Sequence, residues 1–185
     1  MKRAFDIVAS AAGLLISAPI VLMAALAVRA ETPGSPLFAQ ARVGRNEKVF
    51  TCYKLRTMFA DTKHVPTHES SAASVTRVGA VLRRLKLDEL PQLYNVLKGD
   101  MSLVGPRPCL PSQTALIEER RKRGVFAIRP GITGLAQVQG VDMSDPQRLA
   151  VLDAAYAGSR TFGRDLSLLV ATVSGRGIGL DHVTR

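Results

Sequence analysis

An α+β fold, mainly helical and tied to a membrane by its N-terminus, is what this sequence predicts. Three observations carry that prediction. Residues Ile7 to Val28 form an apolar run without a charge. Two short strand-like runs flank Gly44-Arg45-Asn46-Glu47, the punctuation of a β-hairpin. Beyond the hairpin, apolar residues recur at helical spacing, first at Val78, Val81, Leu82 and Leu85. The 185 residues suit one domain, and the 46% that are hydrophobic supply one sizeable core.

The N-terminal run, IVASAAGLLISAPIVLMAALAV, covers 22 positions, and a helix needs roughly 20 to cross a bilayer. Lys2 and Arg3 in front of it suit a signal peptide, but the run is too long for an ordinary signal core. A spanning helix and a re-entrant helix–break–helix both remain open. Pro19 removes a backbone donor and crowds the preceding turn, so a kink is expected there. Ser17 is placed to bond a freed carbonyl. Spanning helices are oriented by Lys/Arg asymmetry, yet here both flanks are basic: Lys2 and Arg3 before, Arg29, Arg42, Arg45 and Lys48 after. A proline tolerated within a spanning helix accounts for the run equally well.

The hairpin follows, with strands around Leu37–Val43 and Val49–Tyr53; Lys54 and Arg56 come just after its second strand. The polar stretch from Phe59 to Ser74 reads as a loop. His64 and His68 have helical metal-ligand spacing there, but Pro66 between them argues for solvated loop histidines. An amphipathic helix is expected over Val75–Leu90, ending at Pro91. A second, over Pro111–Phe126, ends in Arg120-Arg121-Lys122-Arg123, suited equally to anionic headgroups or to solvent. Ile128–Gly140 carries Pro and several Gly and reads as a structured loop. Asp145–Gly158 and Asp165–Gly175 read as two further helices.

Charge narrows the function classes. There are 25 Lys and Arg against 15 Asp and Glu, a formal net charge of +10. That favours anionic partners: nucleic acid, anionic lipid or phosphorylated metabolites. Aromatic residues make up only 5% and Trp is absent, which counts against single-strand binders that stack bases on rings. Cys52 and Cys109 lack zinc or haem spacing and read as free thiols in a reducing compartment.

Within this basic chain, KLDELPQLYNVLKGDMSLVGPRP places Asp88 and Glu89 side by side. Neighbours on a helix point about 100° apart, so an opposed, glycosidase-like pair is a poor model. An exposed pair bridged from Asp88 to Arg84 would account for them and carry no function. Phosphate chemistry offers a sharper use. An aspartate carboxylate is ionised at neutral pH and needs no base to attack phosphorus. A neighbouring carboxylate suits Mg²⁺, and Lys54, Arg56, Arg83 and Arg107 are candidate charge partners for phosphate oxygens.

These residues resemble the bacterial sugar transferases, the small monotopic phosphoglycosyl transferases. The resemblance rests on KRAFDI, FAQARVGRNEKVFTCYKLRTM, TRVGAVLRRLKLDELPQLYNVLKGDMSLVGPRP, IRPGITGLAQVQG and the pattern Asp153, Tyr156, Asp165, and it covers nearly the whole chain. It implies transfer of a sugar 1-phosphate from a UDP-sugar to a polyprenyl (undecaprenyl) phosphate, with release of UMP, at the start of glycoconjugate assembly. It implies Asp88 as nucleophile, forming a covalent phosphosugar intermediate, and Glu89 as Mg²⁺ ligand. Lys54, Arg56, Arg83, Arg107, Pro108, Arg129 and Gln137 become expected substrate or phosphate contacts.

The same resemblance implies a re-entrant helix over residues 1–30, broken at Ser17 to Pro19, with Lys2, Arg3 and Arg29 at the membrane surface. Residues 31–185 would form the catalytic domain, with interfacial amphipathic helices, on the cytoplasmic face of the inner membrane. Inner-membrane lipids are expected partners and nucleic acid is not; a homodimer is allowed rather than required. Two departures stand out. The family usually has Ser directly before the proline, whereas here Ala18 intervenes, and Lys86 stands where a small polar residue is common. Two other classes compete: a non-catalytic membrane scaffold, and a basic nucleic-acid-binding protein, supported by a pI of about 10.3.

Overall fold

The structure is a computed structural model, and it describes residues 1–59 and 74–174. Helix α1 runs over Lys2–Glu31; strands β1 (Leu37–Val43) and β2 (Val49–Leu55) follow. Next come α2 (Arg77–Arg84), α3 (Gln92–Lys98), β3 (Ser102–Val104) and α4 (Thr114–Lys122). The chain continues through β4 (Gly131–Thr133), α5 (Leu135–Val138), α6 (Pro146–Gly158) and α7 (Phe162–Val173). β1 and β2 form the expected antiparallel hairpin, in register from Leu37 opposite Leu55 to Val43 opposite Val49. The expected loop at 128–140 is corrected: it contains β4, which pairs in parallel with β3, and the short helix α5. Three-residue strands are too short to show a period of two, and so leave no pattern to read.

α1 is inside-out. Its buried positions are Asp6, Ser10, Ser17, Ala24 and Val28, a stripe that recurs at helical spacing and is polar in its first half. Ile7, Val8, Leu15, Ile16, Ile20, Leu22, Met23 and Leu26 are exposed. A helix at a water interface shows the reverse; large apolar side chains facing outward suit a lipid environment. At 30 residues the helix is about 45 Å long, and it is long and apolar enough to cross a membrane.

Both ends of α1 are bonded to the same body. At the N-terminus, Lys2 pairs with Asp165 of α7 and donates to the Val104 carbonyl. Arg3 donates to the Val96 and Leu97 carbonyls at the C-terminal end of α3 (2.7 and 3.1 Å). Asp6 accepts from Ser102 Oγ at 2.8 Å. At the other end, Ala24 and Val28 pack with Leu55 and Leu82, and Glu31 accepts from the Arg77 and Val78 amides at the start of α2. Arg29 bonds the Gly34 carbonyl. Lys2, Arg3 and Arg29, expected at the membrane surface, each also bond protein.

The expected helix–break–helix is also corrected. α1 is one continuous helix through Pro19; a single missing N–H removes one rung, and the ladder closes on either side of it. Ser17 Oγ is buried without a hydrogen-bond partner among the described residues, so the carbonyl-bonding role expected of it is not formed.

The body has two further apolar clusters. Cys52, Val96, Met101, Leu103, Val104, Ile128, Tyr156 and Leu168 join β2, α3, β3, α6 and α7. Val43, Cys109, Leu116, Ala136, Leu149 and Ala150 join α4, α5 and α6. Both cysteines are buried free thiols. His64 and His68 lie outside the described residues.

Asn95, fully buried, ties α3 to the hairpin: Nδ2 donates to the Thr51 carbonyl and Oδ1 accepts from the Tyr53 amide. The side-chain amide thus pairs with the β2 edge as a neighbouring strand would. α2 is set against the hairpin exit just as closely. A Cβ on Gly79 would lie 2.1 Å from the Thr57 carbonyl oxygen, so only glycine fits there.

Candidate active site

The predicted helix over 75–90 is shorter than its pattern. α2 ends at Arg84, and Lys86 turns left-handed at φ 55°. That conformation costs an L-residue roughly 1 kcal/mol. It redirects the chain into a separate 3₁₀ turn, Leu87–Glu89. Asp88 and Glu89 thus sit between two helices, and the helical four-residue relation from Arg84 to Asp88 is not formed. Leu87 packs beside the Leu55–Leu82 cluster and anchors the turn. Asp88 is 7% exposed.

Two cations from different elements meet on Glu89. Lys54 Nζ, at the end of β2, lies 2.7 Å from Glu89 Oε1, and Arg107 Nη2 lies 3.0 Å from the same oxygen. Burial pushes the Glu89 carboxyl up, but Lys54 and Arg107 outweigh it and hold the group well below the usual carboxylate range.

Arg107 is itself positioned by arginines acting on the loop backbone. Arg120 Nη1 donates to the Arg107 carbonyl at 2.9 Å. Arg42 Nη1 donates to the Pro108 carbonyl at 3.0 Å. The loop also closes through Gly105 N to Thr133 O and Gly131 N to Pro106 O. Arg120 is 1% exposed and bonds Asp153 Oδ2 through Nε and Nη2 (2.9 and 2.7 Å). Burial and the nearby Arg107 charge lower the Arg42 guanidinium to about 10. Burial pushes the Asp153 carboxyl up, against the pull of Arg120.

The structure therefore gathers Asp88, Glu89, Lys54 and Arg107, with Pro108 buried behind them. The remaining candidates lie apart from this ion-pair cluster and bond the scaffold. Arg56 is buried and donates to the Pro33 carbonyl and to the carbonyl and hydroxyl of Thr32, fixing the exit of α1. Arg83 Nε donates to Thr57 Oγ1 at 2.9 Å. Arg129 Nε bonds the Gly99 carbonyl beyond the far end of α3. Gln137 Nε2, on α5, bonds the Ile132 carbonyl of β4.

The basic run 120–123 is corrected at Arg120 alone; Arg121, Lys122 and Arg123 are exposed, as a solvated charged face would have them. Arg120 is buried, Arg121 pairs with Glu47, and Lys122 and Arg123 pair with Glu119. The sequence reading missed Arg42 and Arg120 as loop clamps. A signal for Arg120 existed: it falls one turn after Leu116, on the buried side of α4.

Mg²⁺ fits this geometry as a site completed by substrate. Among the described residues no cluster of three or more His, Cys, Asp or Glu could hold a metal unaided. Mg²⁺ is ordinarily held by one or two carboxylates together with substrate phosphates. Both ion pairs fall on Glu89 Oε1 and neither uses Oε2.

The lowered Glu89 carboxyl sets a pH window. Its ion pairs stabilise the fold fully above the unfolded carboxylate value, about 4.3, and that contribution is lost as pH falls through the lower folded value. Thermal unfolding of Glu89→Gln beside the parent chain should show a constant stability gap from pH 7 to 5, narrowing below about pH 4. A gap that closes between pH 7 and 5 would contradict the ion-paired state.

Comparison with known proteins gives the family. A family model described as bacterial sugar transferase matches residues 1–176. The UDP-glucose:undecaprenyl-phosphate glucose-1-phosphate transferase of Caulobacter vibrioides is 43% identical over 184 residues, 93% of this chain and 68% of that protein. The exopolysaccharide production protein PSS of Rhizobium leguminosarum bv. phaseoli is 39% identical over 188 residues, 94% of this chain and 93% of that protein. The undecaprenyl-phosphate glucose phosphotransferase of Komagataeibacter xylinus is 40% identical over 185 residues; the match covers 93% of this chain but only 35% of that relative. The match runs nearly from end to end, and the chain belongs to the bacterial sugar transferase family.

Proposed function

We propose that this chain transfers a sugar 1-phosphate from a UDP-sugar to a polyprenyl phosphate, releasing UMP, at the cytoplasmic face of the bacterial inner membrane. The observation that carries this reading is the convergence of Lys54 and Arg107 on Glu89 beside buried Asp88. One Asp88 oxygen attacks the β-phosphorus of the donor. The bond from that phosphorus to the bridging oxygen breaks, and the oxygen leaves with UMP. A phosphate oxygen of the acceptor then attacks the same phosphorus, giving a polyprenyl diphosphate sugar and returning Asp88 as a carboxylate. Lys54 and Arg107 offset the repulsion between Asp88 and the anionic diphosphate. Glu89 would hold Mg²⁺ through its uncommitted oxygen; the ion, when bound, neutralises diphosphate charge.

The fold supports a re-entrant placement of α1. A helix with one end on each side of a bilayer could not have Lys2, Arg3 and Asp6 bonded to the same body that holds Ala24, Val28 and Glu31. With both ends on one side, its exposed Leu and Ile side chains enter the cytoplasmic leaflet and the acid pair lies near the headgroups, where a membrane-bound acceptor presents its phosphate.

Asp88→Asn should lower UMP release by several orders of magnitude, as loss of a nucleophile does, across a panel of UDP-sugars supplied with undecaprenyl phosphate and Mg²⁺. Turnover near that of the parent chain would exclude Asp88 as nucleophile. Glu89→Ala should lose activity and its Mg²⁺ response together; an unaltered Mg²⁺ response would remove the ligand role. Single cysteines near residues 2 and 31 should both resist a periplasmic thiol reagent, whereas labelling at one end alone would establish a spanning helix.

A further inference from the structure

A cationic cavity of about 240 Å³ lies at the N-terminal end of α1 and contains none of the acid-pair residues. Lys2, Arg3, Arg45, Arg129 and Arg160 line it, with Asp6 as a carboxylate in its wall. α3 separates it from the acid pair. Asp88 and Glu89 precede that helix, whereas Arg3 and Arg129 bond carbonyls at its far end. Seven helical residues place roughly 10 Å between the two ends.

The cavity is built for an anion. Asp6 is buried and committed to Ser102 Oγ and the Leu103 amide, and Lys2 is paired with Asp165. Arg129 and Arg160 are each fixed through Nε to a backbone carbonyl, Gly99 and Ala157. Their terminal nitrogens make no hydrogen bond among the described residues, and neither does the Arg45 side chain. Guanidinium groups held this way present forks that match phosphate oxygens bidentately.

The cavity does not stand alone. A neighbouring one of about 310 Å³ shares Lys2 and Arg160 with it and reaches Phe162. From Phe162, the exposed apolar side chains Leu166, Val170 and Val173 run along one side of α7, and Phe5 of α1 meets Phe162 edge-on at 5.1 Å. A cationic pocket opening onto an apolar strip matches a molecule with a phosphate head and hydrocarbon tails. A free phosphate would use the pocket and leave the strip without a partner.

We propose that this cavity binds the phosphodiester headgroup of an anionic glycerophospholipid, with the acyl chains lying over the exposed side of α7, at a site separate from the acid pair. The bound lipid sets the seat of the α1 N-terminus on the membrane.

The test uses the full chain reconstituted in nanodiscs of phosphatidylglycerol and phosphatidylcholine, then transferred to detergent for native mass spectrometry. The parent chain should retain one phosphatidylglycerol in preference to phosphatidylcholine. Arg45→Gln/Arg160→Gln should reduce that retention roughly ten- to thirty-fold, with UMP release in detergent unchanged. Arg45→Lys/Arg160→Lys should recover part of it, and thermal unfolding of all variants should match the parent. Equal retention of phosphatidylglycerol in the Gln variant, or no preference over phosphatidylcholine, would overturn the proposal. So would displacement of the lipid by submillimolar inorganic phosphate or UMP, which would make the cavity a soluble-phosphate site. Retention is read without turnover, so its failure is distinct from failure of the transferase reading.

Discussion

Glu89 joins three parts of the chain at a single carboxylate oxygen. Lys54 brings the end of the hairpin to it, and Arg107 brings the loop that follows β3. A carboxylate in a poorly solvated place is costly unless paired, and the two cations offset that cost in the turn Leu87–Glu89. Removing either one would leave a buried charge short of compensation. Under the transferase reading proposed above, the same two cations would also serve the phosphate chemistry at the neighbouring Asp88.

Around that point, arginines serve as structural members more often than as ligands. Arg42 and Arg120 grip carbonyls of the loop bearing Arg107, Arg56 grips the exit of α1, and Arg3 grips the end of α3. Guanidinium groups suit this work because they remain charged when buried and donate in a fixed fork. Several guanidinium groups thus direct their donors to the fold itself while keeping their charge. The basic run at 120–123, which on its face suggested nucleic acid or headgroups, is paired with Asp153, Glu47 and Glu119.

What could be read from the sequence follows from how local each signal is. The hairpin was legible from Gly44 to Glu47 and its flanking runs, because turn chemistry and alternation are short-range properties. α1, α6 and α7 were legible from their apolar content. The early end of α2 was not: helical periodicity continues through Leu85, while the left-handed backbone at Lys86 leaves no mark in the apolar pattern. Asp88 and Glu89 were identified through the long family match, since their spacing alone fitted a surface pair equally well. Arg56 and Gln137 lay within matching segments, yet their side chains serve the scaffold. Proximity in a motif does not say which way a side chain turns. Ion pairs across 33 residues, as between Arg120 and Asp153, leave no periodic trace.

The account turns on Asp88 carrying the sugar phosphate between donor and acceptor. The direct measurement is the intact mass of the chain after mixing with its UDP-sugar and Mg²⁺, with acceptor withheld, followed by rapid acid quench. The account predicts a mass increase of one sugar phosphate, located by fragmentation to Asp88, with stoichiometric UMP released before any acceptor is added. UMP release that begins only when polyprenyl phosphate is present, with no mass increase on the protein, would contradict it.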